Sequence, residues 1–189
     1  MQKWLLALGL AFGLALALGC AHAVEVVTST IPATGMKSWK QFDRGISIEF
    51  LQLGADAAEA TYSSRDLSHL IYKSMRGYCV FGSVVRNETD APLSYRVVDW
   101  RVVASDGKKQ RLRTKSQWVD DWKKQGVNFG WSILPDEITL EVGDWALGYT
   151  PIKLTPGESF NLIYVWRQHG KLFTSTLQNM SCPAEPNKP

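Results

Sequence analysis

This sequence predicts an all-β fold, an antiparallel β-sandwich carrying one or two short helices, and three observations point to it. Apolar–polar alternations recur between clusters of turn residues at intervals of about ten positions, the spacing of a sandwich built from many short strands. The longest such stretches, Leu93–Ala104 (LSYRVVDWRVVA) and Ser159–Gln168 (SFNLIYVWRQ), are rich in β-branched and aromatic residues, which suit a pleated, half-buried surface. Helical spacing is confined to two brief segments.

The elements follow in order. Val24–Lys40 reads as an extended lead-in broken at Pro32 and Gly35, and Ile46–Phe50 (ISIEF) alternates as a half-buried strand that ends by Gly54. Ala55–Tyr62 fits neither period. Over Ser64–Arg76, Leu67, Leu70, Ile71 and Met75 fall on one helical face, with Ser63 and Ser64 as caps and Gly77 as the stop. Tyr78–Arg86 reads as a strand, Asn87–Pro92 (NETDAP) as a turn, and Leu93–Ala104 as one long strand. Ser105-Asp106-Gly107 marks a hairpin whose returning strand is Lys108–Thr114. Ser116–Lys124 (SQWVDDWKK) is the second helix: Trp118 and Trp122 share a face, Ser116 caps it, Asp120 pairs with Lys124 and Gly126 ends it. Ile138–Val142 resumes strand alternation, Leu154–Glu158 is a turn, and Ser159–Gln168 forms a hairpin with Lys171–Leu177 about His169-Gly170.

The first 23 residues read as a secretory signal peptide outside this domain. Lys3 supplies the positive start, Trp4–Leu18 a nearly unbroken apolar run, and Ala21-His22-Ala23 the small residues of a cleavage site. The run is shorter than the roughly 20 residues a membrane-spanning helix needs. A competing route starts from Ala17-Leu18-Gly19-Cys20, which resembles a bacterial lipobox, loosely because Ala stands where Leu is usual. It would lipidate Cys20 and tether the chain to a membrane. Cleavage after Ala23 is favoured, so the expected location is periplasmic or extracellular, with an outer-membrane lipoprotein as the alternative. Residues 24–182 then form a single domain, and 183–189 a polar, proline-rich tail expected to be disordered. Losing Lys3 lowers the net charge from +3 to +2, which does not suggest nucleic acid as a partner. The local basic stretch of Lys108, Lys109, Arg111 and Arg113 reads as a solvated strand edge.

The run from Tyr78 to Leu93 resembles an immunoglobulin-type strand–turn–strand, in which an extended stretch meets an Asn/Asp/Pro turn and a longer strand follows. The resemblance implies an immunoglobulin-like sandwich over about the last 110 residues. The cysteines depart from the family pattern, since Cys182 follows the last expected strand. With the leader removed, Cys79 and Cys182 remain, and two thiols in an oxidising compartment favour one disulfide.

Catalytic groups are sparse. His69 and His169 are the histidines outside the leader, and neither sits in a metal-ligand or nucleophile-elbow spacing. Asp120-Asp121, Asp136-Glu137 and Asp144 read as capping or solvating acids. No cofactor or metal is expected. The tryptophans carry more information. Trp100 and Trp166 lie inside strong strands and read as core. Trp118, Trp122, Trp131 and Trp145 fall in a glycine-containing segment that reads like an insertion. It is either a second packed mini-core or a binding surface, because connecting segments commonly carry binding residues and aromatic rings make interface anchors.

The resulting expectation is an exported, non-enzymatic accessory protein of the cell envelope. It would bind another envelope or secreted protein through Trp118, Trp122, Trp131 and Trp145, with Asp120 and Asp121 as a polar rim. A polysaccharide- or cell-wall-binding module using the same rings is the first alternative, and a small envelope hydrolase the second. Membrane association follows only if Cys20 is lipidated.

Overall fold

The structure is a computed structural model that describes residues 24–54, 60, 68–130 and 132–184. The leader with Cys20, the caps Ser63 and Ser64, Leu67, and residues 185–189 of the expected tail lie outside the described residues.

Two antiparallel sheets enclose one core. The first runs β1 (Val26–Thr30), β2 (Lys37–Asp43), β3 (Ile46–Gln52), β4 (Cys79–Asn87) and β9 (Trp145–Ile152). The second is organised around β10 (Ser159–Gln168). β11 (Lys171–Ser181) pairs along one side of it, and β5 (Leu93–Arg96) and β6 (Arg101–Ala104) pair in succession along the other. β8 (Glu137–Leu140) lies outside β5, and β7 (Lys109–Arg111) outside β6. Strand alternation sends Trp39, Ile48, Phe50, Phe81 and Val85 from one sheet against Tyr95, Trp100, Leu162, Tyr164 and Trp166 from the other. β2 turns into β3 through Arg44 and Gly45, both at positive φ (49° and 81°), the twist a two-residue hairpin favours. Gly45 is needed there twice over, because a Cβ would meet the Thr89 side chain.

Cys79 opens β4 and Cys182 follows β11, and the two form a buried disulfide with a Cα–Cα distance of 5.4 Å and a sequence separation of 103. It ties the first sheet to the end of the second. In the chain-entropy picture a loop of this length is worth about 4–5 kcal/mol.

Helix α1 (Ser68–Met75) and helix α2 (Lys115–Lys124) belong to a second apolar cluster on the outer face of the first sheet. Ile71 and Met75 of α1 and Trp118 and Trp122 of α2 meet Val80 of β4, Val127 and Ile133, with Leu53, Tyr78 and Tyr149 packed alongside. Leu70, expected on the buried face of α1, is 39% exposed. The N-cap of α2 is Thr114, in a reciprocal capping box with Gln117. Ser116 instead bonds the Asp136 carboxylate, which also accepts the Lys115 and Ser116 backbone N–H groups. Among the described residues no helix is long and apolar enough to cross a membrane.

Several elements differ from the sequence reading. The lead-in is a hairpin, β1 and β2. The expected strand Leu93–Ala104 is broken by a 3-10 turn at Val97–Asp99, which lets its two halves pair with β10 at different places. Trp145–Ile152 is a strand, whereas the sequence reading placed it in an irregular insertion. β11 continues to Ser181, beyond Leu177. Pro183 at the start of the expected tail accepts a backbone hydrogen bond from Gly157 (3.2 Å).

Candidate functional site

The helices cover only one end of the first sheet's outer face. At the other end the strand register lays two rows of side chains side by side. One row runs Phe42, Ser47, Arg86, Trp145 across β2, β3, β4 and β9. The next runs Val27, Lys40, Glu49, Val84, Leu147, starting on β1. Four large apolar side chains of these rows stand in solvent: Trp145 at 52%, Leu147 at 56%, Phe42 at 54% and Val27 at 56%. The Arg86 guanidinium lies over the Trp145 ring, 5.4 Å from its centre, and Lys40 faces Glu49 across β2 and β3. The result is a mixed face bounded at one end by the helical layer: Trp145 and Leu147 stand at one side of the sheet and Phe42 and Val27 at the other, with Lys40, Glu49 and Arg86 between them.

Local hydrogen bonds brace the β9 side of this face. Trp145 opens β9 just after the β8–β9 turn, and that turn hangs on buried Asn87. The Asn87 side-chain amide donates to the carbonyls of Ala91 (2.8 Å), Leu140 (3.0 Å) and Glu141 (3.1 Å). Its Oδ1 accepts from the Thr89 backbone N–H (3.0 Å) and hydroxyl (2.6 Å). Its backbone bonds Asp144 and Gly143. Farther along β9, the outer edge is covered by Ser132–Leu134: Tyr149 N–H donates to Ser132 (2.6 Å) and Leu134 N–H to Tyr149 (3.0 Å). Gly148 permits this approach, since a Cβ there would strike the Ile133–Leu134 backbone.

The other expected site residues lie elsewhere. Trp118 and Trp122 are wholly buried. Trp118 packs edge-on to Tyr78 at 4.9 Å and carries the Arg113 guanidinium on its face at 4.1 Å. Trp122 donates its Nε1–H to the Ser74 hydroxyl of α1 (2.8 Å). These two rings join the helices to the sheet and present no free face to a partner, so of the two readings of this segment they belong to the packed mini-core. Trp131 lies outside the described residues. Asp120 is exposed on α2, and Asp121 pairs with Arg113 and with Lys124 (2.9 Å). Hydrogen bonds from Lys124 and Arg113 hold the Asp121 carboxyl below its usual range. The expected partner of Lys124 was Asp120; Asp121 takes that place. Val80, under the helices, and Arg86, beside Trp145, are six positions apart on β4, about 20 Å of strand. The acids of α2 therefore form no rim around Trp145. His169 sits at positive φ in the β10–β11 turn, 3.5 Å from Asp90. Among the described residues no three His, Cys, Asp or Glu side chains gather as metal ligands would.

Sequence reasoning named Trp145 but missed Leu147 beside it on β9, and Phe42 and Val27 at the far side of the sheet. The signal for Leu147 was the alternation Trp145-Ala146-Leu147-Gly148-Tyr149, obscured by two residues of low strand propensity. No protein-family model matches the chain, and no curated protein shows significant similarity to it.

Proposed function

We propose that this chain is an exported, non-enzymatic accessory protein of the cell envelope that binds another protein through the open half of its first sheet. The observation that carries this reading is the exposed pair Trp145 and Leu147 on β9, with the Arg86 guanidinium over the tryptophan ring, on a sheet face that also exposes Phe42 and Val27. Contiguous apolar side chains in solvent mark interaction sites, and tryptophan and arginine are among the residue types enriched where binding energy concentrates. An open sheet face offers contact area, whereas chemistry on a small substrate favours an enclosed cleft. Export is supported by the charged, apolar and small-residue regions of the leader and by the Cys79–Cys182 bond, which suits an oxidising compartment. The immunoglobulin-like reading of the sandwich is supported by a chain that changes sheet between β4 and β5, β8 and β9, and β9 and β10, and by a disulfide that links the two sheets.

The test is capture of partners from an envelope extract of the native host by immobilised wild type and by a Trp145→Ala/Leu147→Ser variant. The expected result is a protein retained by the wild type and lost by the variant at an unchanged unfolding midpoint. Equal retention by both would overturn the assignment of this face. Retention on insoluble polysaccharide that free sugar competes away, and that Trp145→Ala abolishes, would favour the carbohydrate-binding reading instead.

A further inference from the structure

We propose that the outer face of the second sheet docks on an anionic lipid surface, separately from the open face of the first sheet. The helices pack on the first sheet, and the outward side chains of β7, β6, β10 and β11 are half-buried or exposed. Strand register lays their charges on one plane. Arg111, Arg101, Ile163 and Thr176 form a row across the four strands. Lys109, Val103 and Asn161 form the row beside it. Four positions along β10 from Ile163, Arg167 sits between Ser94 of β5 and Leu172 of β11. Arg96 lies two positions on from Ser94, across from Glu137 of β8.

The charge on this face is unbalanced. Glu137 and Asp99 both belong to Arg96, at 3.7 and 3.9 Å. Lys109, Arg111 and Arg167 are exposed, and among the described residues none of them has a carboxylate partner. Five cations against two carboxylates is an excess larger than the net +2 of the whole chain without its leader. Arg101 and Arg111 stand directly opposite each other on β6 and β7, a like-charge pairing that costs stability. Arg101 is fixed there by donating Nη1–H to the carbonyls of Val98 (2.7 Å) and Trp100 (2.6 Å). The folded chain therefore holds a repulsion that an anionic surface offsets.

The layout selects an extended partner. The Arg101 row and Arg167 are four positions apart on β10, about 13 Å of strand, so one small anion cannot reach both, whereas a plane of headgroup phosphates can. Between the cations lie the short apolar side chains of Val103, Ile163 and Val165, and at the margin Leu172 is 57% exposed. A lipid interface accepts apolar side chains just below its phosphates, while lysine and arginine keep their heads at phosphate level. Protein interfaces concentrate aromatic anchors. The outward positions of these strands hold none, which leaves charge as the main attraction. The outer faces of the two sheets point away from each other, so lipid on this face leaves Trp145 turned toward a protein partner.

The experiment is co-sedimentation of the full mature protein, begun at Val24 so that no acyl chain contributes. The vesicles are phosphatidylcholine with phosphatidylglycerol, against phosphatidylcholine alone. At about 100 mM salt, binding to the anionic vesicles is expected to exceed binding to the neutral ones by at least about tenfold, and to weaken steeply as salt rises. Each basic side chain near an anionic surface adds about fivefold to partitioning. Lys109→Gln/Arg111→Gln/Arg167→Gln should therefore lose about a hundredfold. Lys37→Gln/Lys73→Gln/Lys123→Gln, which removes the same charge from the first sheet and the helices, should lose less than about fivefold. Both variants should keep the wild-type unfolding midpoint, since all six side chains are exposed. Absence of sedimentation with the anionic vesicles, or equal loss from both variants, would overturn the docking face. Capture on poly-L-glutamate that the first variant loses, without vesicle binding, would also overturn it and reassign the face to an acidic protein.

Discussion

Two tryptophans of this chain have opposite relations to solvent. Trp118 is sealed between α2, Tyr78 and Arg113, whereas Trp145 has half its surface exposed. Removing a sealed aromatic ring costs its transfer energy plus a cavity, so Trp118→Ala should lose about 3–5 kcal/mol in urea unfolding. Trp145→Ala should change stability by less than about 1 kcal/mol while abolishing partner capture. A large stability loss from Trp145→Ala would make it structural. Asn87 is the hinge pin of the β8–β9 turn: its side chain satisfies three carbonyls and accepts from Thr89. Asn87→Ala strands those buried carbonyls and should cost about 2 kcal/mol or more. Asn87 also begins an Asn-Glu-Thr glycosylation tripeptide, and its full burial makes the folded chain a poor acceptor there. Asn179, in the second such tripeptide, is exposed.

At the scale of elements, α2 depends on a residue far from it in sequence. Asp136 lies before β8 yet accepts from the first backbone N–H groups of the helix, where a carboxylate also complements the helix dipole. Asp136→Ala should cost about 1–2 kcal/mol, and hydrogen exchange at Lys115 and Ser116 should accelerate before exchange in β10 does. Unchanged exchange at those two amides would remove the long-range cap. The sequence reading pointed to Ser116 as the cap and passed over the local Thr114-Lys115-Ser116-Gln117 capping box; only the Asp136 bond depends on how the chain returns. The same limit explains the other differences. Ser159–Gln168 was legible to the residue because five inward and five outward positions alternate without interruption. β9 was not, because Ala146, Gly148 and Pro151 are poor strand formers, and Gly148 is required only by the Ile133–Leu134 backbone lying against it. The break at Val97–Asp99 has no marker in Val-Val-Asp; it exists because β5 and β6 must meet one common neighbour. The open face was half legible: Trp145 could be named, but its alignment with Arg86, Ser47 and Phe42 is created by register across four strands.

For the molecule as a whole, the disulfide and the tyrosines set the limits of stability. Reducing Cys79–Cys182 should lower the unfolding free energy by about 4–5 kcal/mol, read from urea curves with and without reductant. A shift below 1 kcal/mol would mean that the tail is held without the bond. Burial pushes the hydroxyls of Tyr95 and Tyr164 well above the ordinary tyrosine value of about 10. The folded chain thus holds these two protons more tightly than the unfolded chain. The resulting stability is fully present below pH 10 and is lost as pH rises above it, at up to about 1.4 kcal/mol per pH unit for each tyrosine. Tyr95→Phe should halve that slope. It should cost nothing at pH 7, since the Tyr95 hydroxyl has no hydrogen-bond partner among the described residues. An unchanged alkaline slope would show that other groups carry it.

The position of β10 governs the order in which the molecule can assemble. β5 and β6, with β7 and β8 attached to them, find their shared neighbour only in Ser159–Gln168: Leu93 pairs with Gln168 and Ala104 with Phe160. During synthesis these strands emerge long before the strand that organises them, and the bond at Cys182 closes later still. Pairings this distant in sequence make folding slow, so the second sheet closes only after local hairpins such as β2–β3 and β6–β7 have had time to form. Until Ser159–Gln168 is made, Leu93–Ala104 has no native neighbour of its own, and it is the stretch most open to pairing with the wrong strand.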